Sequence, residues 1–370
     1  MSHPVWAEVD LSALSHNLRE VRRLVGRRKI MAVVKANAYG HGMIPVAQAL
    51  LAAGADWLGV ARSTEALELR NGGITAPVLV LGYVDPGESP ALASAGIHLT
   101  VYDRRTAEAL AGVAQREGKT LRVHLKVDTG MGRLGMPHDA SGVQDALAVA
   151  NLAGIKVEGL FTHFACADDP DEGSVRLQVE RFLQFARQLE KEGLRITCKH
   201  AANSAAVMRL PESHLDMVRP GIMLYGLHPS PFTSGYADLR PVMSFKARVA
   251  QVKSVGAGFP VSYGWTHRTS GPAVLATVAV GYADGYSRLL SGRGEVLVRG
   301  KRVPLVGRVC MNLLIVDVTG VESVATGDEV VLFGRQGEVF LPVEEIAEKV
   351  GTINYEVVCA VGAGVPRVYL

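Results

Sequence analysis

Ile30-Met-Ala-Val-Val-Lys-Ala-Asn-Ala-Tyr-Gly-His-Gly42 opens as an uninterrupted apolar run and closes on a lysine followed by small residues. A short run without polar alternation is the pattern of a strand buried on both faces, as in a parallel sheet. Similar runs recur at Trp57 to Ala61, Val78 to Leu81, Ile97 to Val101, Leu121 to Val127, Val157 to Thr162, Arg195 to His200 and Met217 to Gly221. Amphipathic stretches with helical spacing, such as Arg104 to Glu117 and Val175 to Lys191, lie between them. Buried strands alternating with helices predict an α/β fold, a (β/α)8 TIM barrel over residues 11–240.

From Pro241 onward the periodicity changes to dense β signals with turn residues: Phe245 to Val255, Ala273 to Val280, Gly294 to Val298, Val303 to Val318 and Glu329 to Phe333. One helical interruption is expected around Pro342 to Val350, so residues 241–370 form a separate, mainly β domain. Two domains also suit a chain of 370 residues, beyond the size at which a single core stops growing. Pro4 to Asp10 reads as a strand, within an N-terminal segment 1–10 that could join the β domain. Leu11-Ser12 offers a helix cap and Ala13 to Val25 a helical face.

Composition narrows the function. With 48% hydrophobic and 20% charged residues the chain has the profile of a globular protein, and a net charge of +3 without a basic run argues against nucleic acid as a partner. Cys166, Cys198, Cys310 and Cys359 are scattered without metal-site or redox spacing and read as buried free thiols in a reducing compartment. No secretory signal is expected in Met1 to Asp10, and no apolar run reaches the roughly 20 residues that cross a bilayer. A cytoplasmic protein without a membrane partner is the expectation.

Active-site groups in a barrel cluster where strands end, which singles out Lys35 at the close of its run. The small residues after it let a ligand approach the backbone, and a lysine aimed into a pocket can form an imine with an aldehyde cofactor. VVKANAYGHG at Val33 to Gly42 resembles the cofactor-lysine motif of the alanine racemase family. The segments Lys126 to Gly135, His163 to Ala165, His200 to Ser204, Arg219 to Gly226, Val261 to Gly264, Gly281 to Tyr286, Gly307 to Met311 and Thr352 to Glu356 resemble further blocks of that family in the same order.

The resemblance implies pyridoxal 5'-phosphate as cofactor and Lys35 as both its Schiff-base lysine and one of two catalytic bases. Tyr263 is similar to the tyrosine that serves the opposite face of the substrate, because racemisation removes a proton from one side of a carbon and returns it on the other. A phenol has a pKa near 10, so that role needs nearby positive charge. Arg219 resembles the arginine facing the cofactor's pyridine nitrogen. A guanidinium does not give up its proton, which leaves the ring a weaker electron sink and favours clean proton return. Barrel-type decarboxylases place a carboxylate there, and non-catalytic pyridoxal carriers are typically barrel only.

By the same resemblance, His163 and His200 belong to the cofactor site, with His200 holding Arg219. Ser204 and the amides of Gly221 and Ile222 would cradle the phosphate, with Tyr39 and Tyr355 adding phenolic donors. Arg133 and the Met311 amide would meet the substrate carboxylate. Lys126, inside an apolar run where an ammonium is expensive to bury, is implied to be carbamylated. Tyr282 and Tyr286 fall in the region lining the entrance, and Trp265 and His267 could narrow it. Asn312 departs from the aspartate usual in the family at that place. Tyr263 is implied to act in the partner subunit's site, making a homodimer the catalytic unit. The expected activity is interconversion of L- and D-alanine, supplying D-alanine for peptidoglycan, with serine or broad-specificity racemisation as the alternative. No metal is expected.

Overall fold

The computed structural model describes residues 3–370, so Met1 and Ser2 of the N-terminal segment lie outside the described residues. Contacts group them into two units, one of Leu14–Ala38 and Met43–Arg240, the other of residues up to Ala13 together with Tyr39–Gly42 and Pro241–Leu370.

The first unit is the barrel. After β1 (Val5–Val9), which belongs to the other unit, come β2 (Lys29–Val33), β3 (Trp57–Val60), β4 (Val78–Val80), β5 (Ile97–Val101), β6 (Leu121–Asp128), β7 (Ile155–Phe161), β8 (Lys199–His200) and β9 (Met217–Val218). Each pairs in parallel with the next, and β9 returns to β2 through Met217 opposite Lys29, closing eight strands into a ring. Met31, Leu79 and Met217 form one apolar cluster, with Trp57, Leu81 and Cys198 packed against it. Helices carry the returns, among them Arg104–Arg116, capped by Asp103 on the Thr106 amide, and Gly173–Lys191, which buries Val175, Val179, Phe182, Phe185 and Leu189.

Several expectations need correction. The helix after β1 runs Leu11–Val25, and its cap is Asp10: one carboxylate oxygen accepts the Ser12 amide at 2.8 Å and the Ala13 amide at 2.9 Å, satisfying two amides that Leu11-Ser12 could not. The runs Arg195 to His200 and Met217 to Gly221 pair for only two residues each, because β8 and β9 meet through the single register Met217 opposite His200. The cysteines are less buried than expected: Cys166, Cys198 and Cys310 are half-buried and Cys359 is exposed.

The second unit is mainly β. Its main strands are β1, β10 (Met243–Val255), β11 (Ala273–Val278), β12 (Glu295–Val298), β13 (Lys301–Pro304), β14 (Leu314–Asp317), β15 (Glu329–Gln336), β16 (Val339–Leu341) and β17 (Arg367–Tyr369). The N-terminal β1 lies between β10, antiparallel with Trp6 opposite Lys246, and β17, parallel with Ala7 opposite Arg367. Leu297, Val331 and Leu341 form one core cluster and Val261, Ala273, Leu275 and Val306 another. The stretch Val303 to Val318 is two strands rather than one, broken where Gly307 turns at φ +73°. A second helix, Asn354–Cys359, follows Val343–Val350, so the domain holds more helix than expected. Among the described residues no helix is long and apolar enough to cross a membrane.

Candidate active site

Strand β2 ends in a conformation that L-residues avoid. Ala36, Asn37, Ala38 and Tyr39 all have φ of 53–54°, a turn of left-handed helix at roughly 1–2 kcal/mol per residue. Such strain persists only where surrounding bonds over-determine it. Glu65 supplies several of them: one oxygen accepts the Ala36 amide at 2.6 Å, the other the Ala61 and Arg62 amides at 2.8 and 3.0 Å. The Ala38 amide reaches the Val34 carbonyl at 2.8 Å, and Asn37 Oδ1 receives the Met43 amide at 2.8 Å. The turn begins at Lys35, so the lysine leaves the barrel on a fixed piece of backbone. Glu65 and Asn37 were missed as site residues, since their task is to hold backbone.

Successive residues of a strand point to opposite faces, so His124 and Lys126 of β6 share one face. Lys126 is 4% exposed, and its Nζ lies 5.4 Å from the centre of the Phe161 ring. Burial, then the charges of Arg133 and Arg219, pulls its pKa down to about 8, with Lys35 contributing. His163 is pushed well below the ordinary histidine range by burial and by Arg219, Arg133, Lys126 and Lys35, so its ring is neutral. Those shared influences bring four cations to one place. Asp128 is the nearby carboxylate. Burial would raise its pKa, but the amides of Gly130, Gly132, Met131 and Arg133 outweigh this and hold it low.

Arg219 is 4% exposed, and no carboxylate pairs with it among the described residues. Its Nη1 donates to His200 Nδ1 at 3.0 Å, and its Nη2 to the Thr162 and Ala201 carbonyls at 2.6 and 2.9 Å, with His163 Nδ1 at 3.4 Å. Burial lowers its pKa to about 9, which still leaves a cation at neutral pH. Ser204 Oγ accepts the amides of Gly221 at 2.9 Å and Met223 at 3.4 Å, which leaves its hydroxyl proton to donate elsewhere. The cap of the following helix is Asn203, bonded to the Ala206 amide at 3.0 Å. Ile222 begins the short turn that follows Gly221. Lys35, Lys126, Arg133 and Arg219, which act together on His163, and the buried Ser204 hydroxyl bonded to Gly221, two residues beyond Arg219, suit a ligand bearing several negative charges, and pyridoxal phosphate is one.

In the β unit, Tyr39 is buried and burial raises its phenol above the usual range, which keeps it a donor. Its ring lies 6.3 Å from that of Tyr355, tilted by 48°. Gly40, at φ +83°, has no room for a side chain, since a Cβ would stand 2.5 Å from the Val358 carbonyl oxygen. Tyr263 is 69% exposed on a turn where Ser262, Gly264 and Trp265 have φ of 59°, 69° and 48°. Ser262 Oγ fixes that turn by donating to the Arg308 carbonyl at 2.6 Å. Met311 is exposed, and its carbonyl accepts the Ala283 amide at 2.9 Å. Asn312 Nδ2 reaches Asp284 Oδ2 at 3.3 Å. Tyr282 is exposed, whereas Tyr286 is buried with its phenol pushed up by burial, so it packs in the domain rather than lining an entrance. His267 is half-buried and Trp265 exposed. Among the described residues no cluster of acidic, histidine and cysteine side chains could hold a metal.

Residues 9–229 match the alanine racemase N-terminal domain, and residues 242–369 match the alanine racemase C-terminal domain. The chain belongs to the alanine racemase family. Members of this family are pyridoxal-phosphate-dependent isomerases, and both of its domains are present here, unlike a barrel-only carrier. The chain is 50% identical to the alanine racemase of Desulforamulus reducens over the whole of both chains. The solved structure of alanine racemase from Clostridium difficile 630 superposes with a TM-score of 0.95 at 39% identity, covering 100% of this chain and 96% of that one. A histidine racemase from Leuconostoc mesenteroides superposes with a TM-score of 0.93 at 32% identity, covering 100% and 98%.

Proposed function

We propose that the chain interconverts L- and D-alanine with pyridoxal 5'-phosphate, Lys35 and Tyr263 moving the α-proton on opposite faces of the substrate. The observation that carries this reading is Arg219, a buried cation held by His200 and two carbonyls and paired with no carboxylate among the described residues. When bound, the cofactor supplies an aldehyde that captures the amino group and a ring that acidifies the α-hydrogen. Arg219, a guanidinium with only donors, would meet the ring nitrogen and keep it unprotonated, which would temper the withdrawal and leave the proton's return to the protein's own bases.

The chain's residues divide the remaining tasks. Ser204, the amides of Gly221 and Ile222, and the phenols of Tyr39 and Tyr355 hold the phosphate, while His163 stays neutral beside Arg219. Arg133 and the Met311 amide bind the substrate carboxylate. The Lys126 amine, with its lowered pKa, is free often enough at neutral pH to take up carbon dioxide, releasing one proton and becoming an anion that pairs with Arg133. Lys35 Nζ holds the proton on one face. Tyr263 Oη holds it on the other, serving the site of a second copy in a homodimer. Exposed Tyr263, Trp265, Met311 and Leu313 suit cover by that copy. We place the enzyme in the cytoplasm, making D-alanine for peptidoglycan.

Racemisation of serine or of a broader set of amino acids is the second reading, favoured by the likeness to a histidine racemase. One extra methylene is worth only about 10- to 200-fold in a small pocket. Purified protein tests both readings. It should be yellow, lose that colour to borohydride with the cofactor fixed on Lys35, and racemise L-alanine faster than L-serine. Turnover of L-alanine no faster than that of L-serine would favour the second reading, and a colourless protein that binds no pyridoxal phosphate would overturn both.

A further inference from the structure

Branched aliphatic side chains ordinarily fill the interior of a parallel barrel, but this chain packs three imidazoles together there. His98 on β5, His124 on β6 and His200 on β8 are buried, with ring centres 5.6 Å apart from His98 to His124 and 5.0 Å from His124 to His200. Trp57 stacks on His98 at 4.6 Å and Phe161 on His200 at 4.8 Å, closing the column at both ends. The sheet makes room for the middle ring. A Cβ on Gly159 would lie 2.3 Å from His124 Nδ1, and the pairing of β6 with β7 slips between Val123 and His124. Buried imidazoles are unfavourable unless bonded, so a column of them calls for a reason.

Donor chemistry assigns the protons. A guanidinium carries only donors, so His200 Nδ1, 3.0 Å from Arg219 Nη1, is bare. Burial, with Arg219 beside it, holds His200 neutral, which puts its single proton on Nε2. That nitrogen is 2.8 Å from His124 Nδ1, which accepts. Burial takes the pKa of His124 down to about 3, so it is neutral too and carries its proton on Nε2. His98 lies beyond, its Nε2 3.3 Å from Glu158 Oε2.

We propose that His124 is a positioning residue for Arg219: by accepting the Nε2 proton of His200 it fixes the one His200 tautomer whose Nδ1 can receive the guanidinium. The opposite tautomer would set an N–H of His200 against an N–H of Arg219. With no carboxylate to orient it, the arginine keeps its plane through His200 and the carbonyls of Thr162 and Ala201. This inference rests on the reading of Arg219 as the residue facing the cofactor ring.

Nitrogen NMR of histidine-labelled holoenzyme reads the tautomers directly. In the native protein His200 and His124 should both be protonated on Nε2 and bare on Nδ1. His124→Leu should disturb the His200 signals and lower kcat by roughly 10- to 100-fold with little change in KM, as loss of an outer-shell partner does. His124→Asn, whose amide oxygen can accept the same proton, should recover most of both. A native His200 protonated on Nδ1 would overturn the assignment, as would unchanged His200 signals and kcat in His124→Leu. If His124→Leu does not fold, the native tautomers and His124→Asn still decide. Arg219→Lys separates the two readings: an unaltered cofactor spectrum and kcat would sink the placement of Arg219, while the tautomers judge His124 on their own.

Discussion

At the barrel mouth Arg219 is 4% exposed and bonded through both terminal nitrogens, and Lys35 starts a left-handed turn braced by Glu65 and Asn37. In the β unit Tyr263 is 69% exposed on a turn held by Ser262, with Trp265 and Met311 exposed as well. The first region is preorganised from inside: strand ends, carbonyls and neutral histidines fix cations that would otherwise seek carboxylates. The second has a turn held by Ser262, yet its side chains remain more than half exposed. On the proposed function, cofactor capture belongs to one chain and proton transfer by Tyr263 to a second.

Removing the lysine should have the largest effect. Lys35→Ala is expected to lower turnover by roughly 10^4-fold or more, as loss of a covalent catalytic group does, and to abolish attachment of the cofactor by borohydride. Residual turnover within tenfold of the native enzyme would break the assignment of the mouth. Mixing Lys35→Ala with Tyr263→Phe protein should then restore about a quarter of native activity through hybrid dimers with one intact site each. No recovery after confirmed subunit exchange would mean that the two regions serve each other within one chain.

The buried Lys126 sharpens the same contrast through pH. Its folded pKa of about 8 lies below the ordinary 10.5, so as an uncarbamylated cation it weakens the fold at and below pH 8. Between those values the folded amine sheds its proton while the unfolded chain keeps it, so stability should rise with pH across that window. In carbon-dioxide-free buffer the gain should reach up to about 3 kcal/mol relative to Lys126→Met, measured by denaturation. With bicarbonate the trend should flatten, and intact mass should show one added carbon dioxide. A flat profile in both buffers would show that the amine is not held as described. Asp10→Ala, away from both regions, should cost only about 1 kcal/mol through the lost helix cap and leave turnover unchanged.

Much of this was legible because the decisive signals are local. Eight apolar runs announce parallel strands, and Lys35, Arg219 and Ser204 sit in short segments whose family likeness covers nearly the whole chain. What escaped depends on pairing between distant segments. Glu65 looks like an ordinary acidic residue in the first turn of its helix, and its grip on the Ala36 amide follows from the order of strands β2 and β3. His124 could have been suspected, since it lies two places before Lys126 on the same strand face. Gly159, which admits its ring, has no signature of its own. Tyr286 misled because it shares a motif with Tyr282, yet one phenol is exposed and the other is buried.

The most direct test of the account follows the α-hydrogen separately in the two isomers. Tyr263→Phe protein with bound cofactor, incubated in deuterated water, should exchange the α-proton of L-alanine roughly 100-fold or more slowly than native enzyme, while exchange from D-alanine, served by Lys35, stays within a few-fold. Equal exchange from both isomers would contradict the assignment of one base to each face.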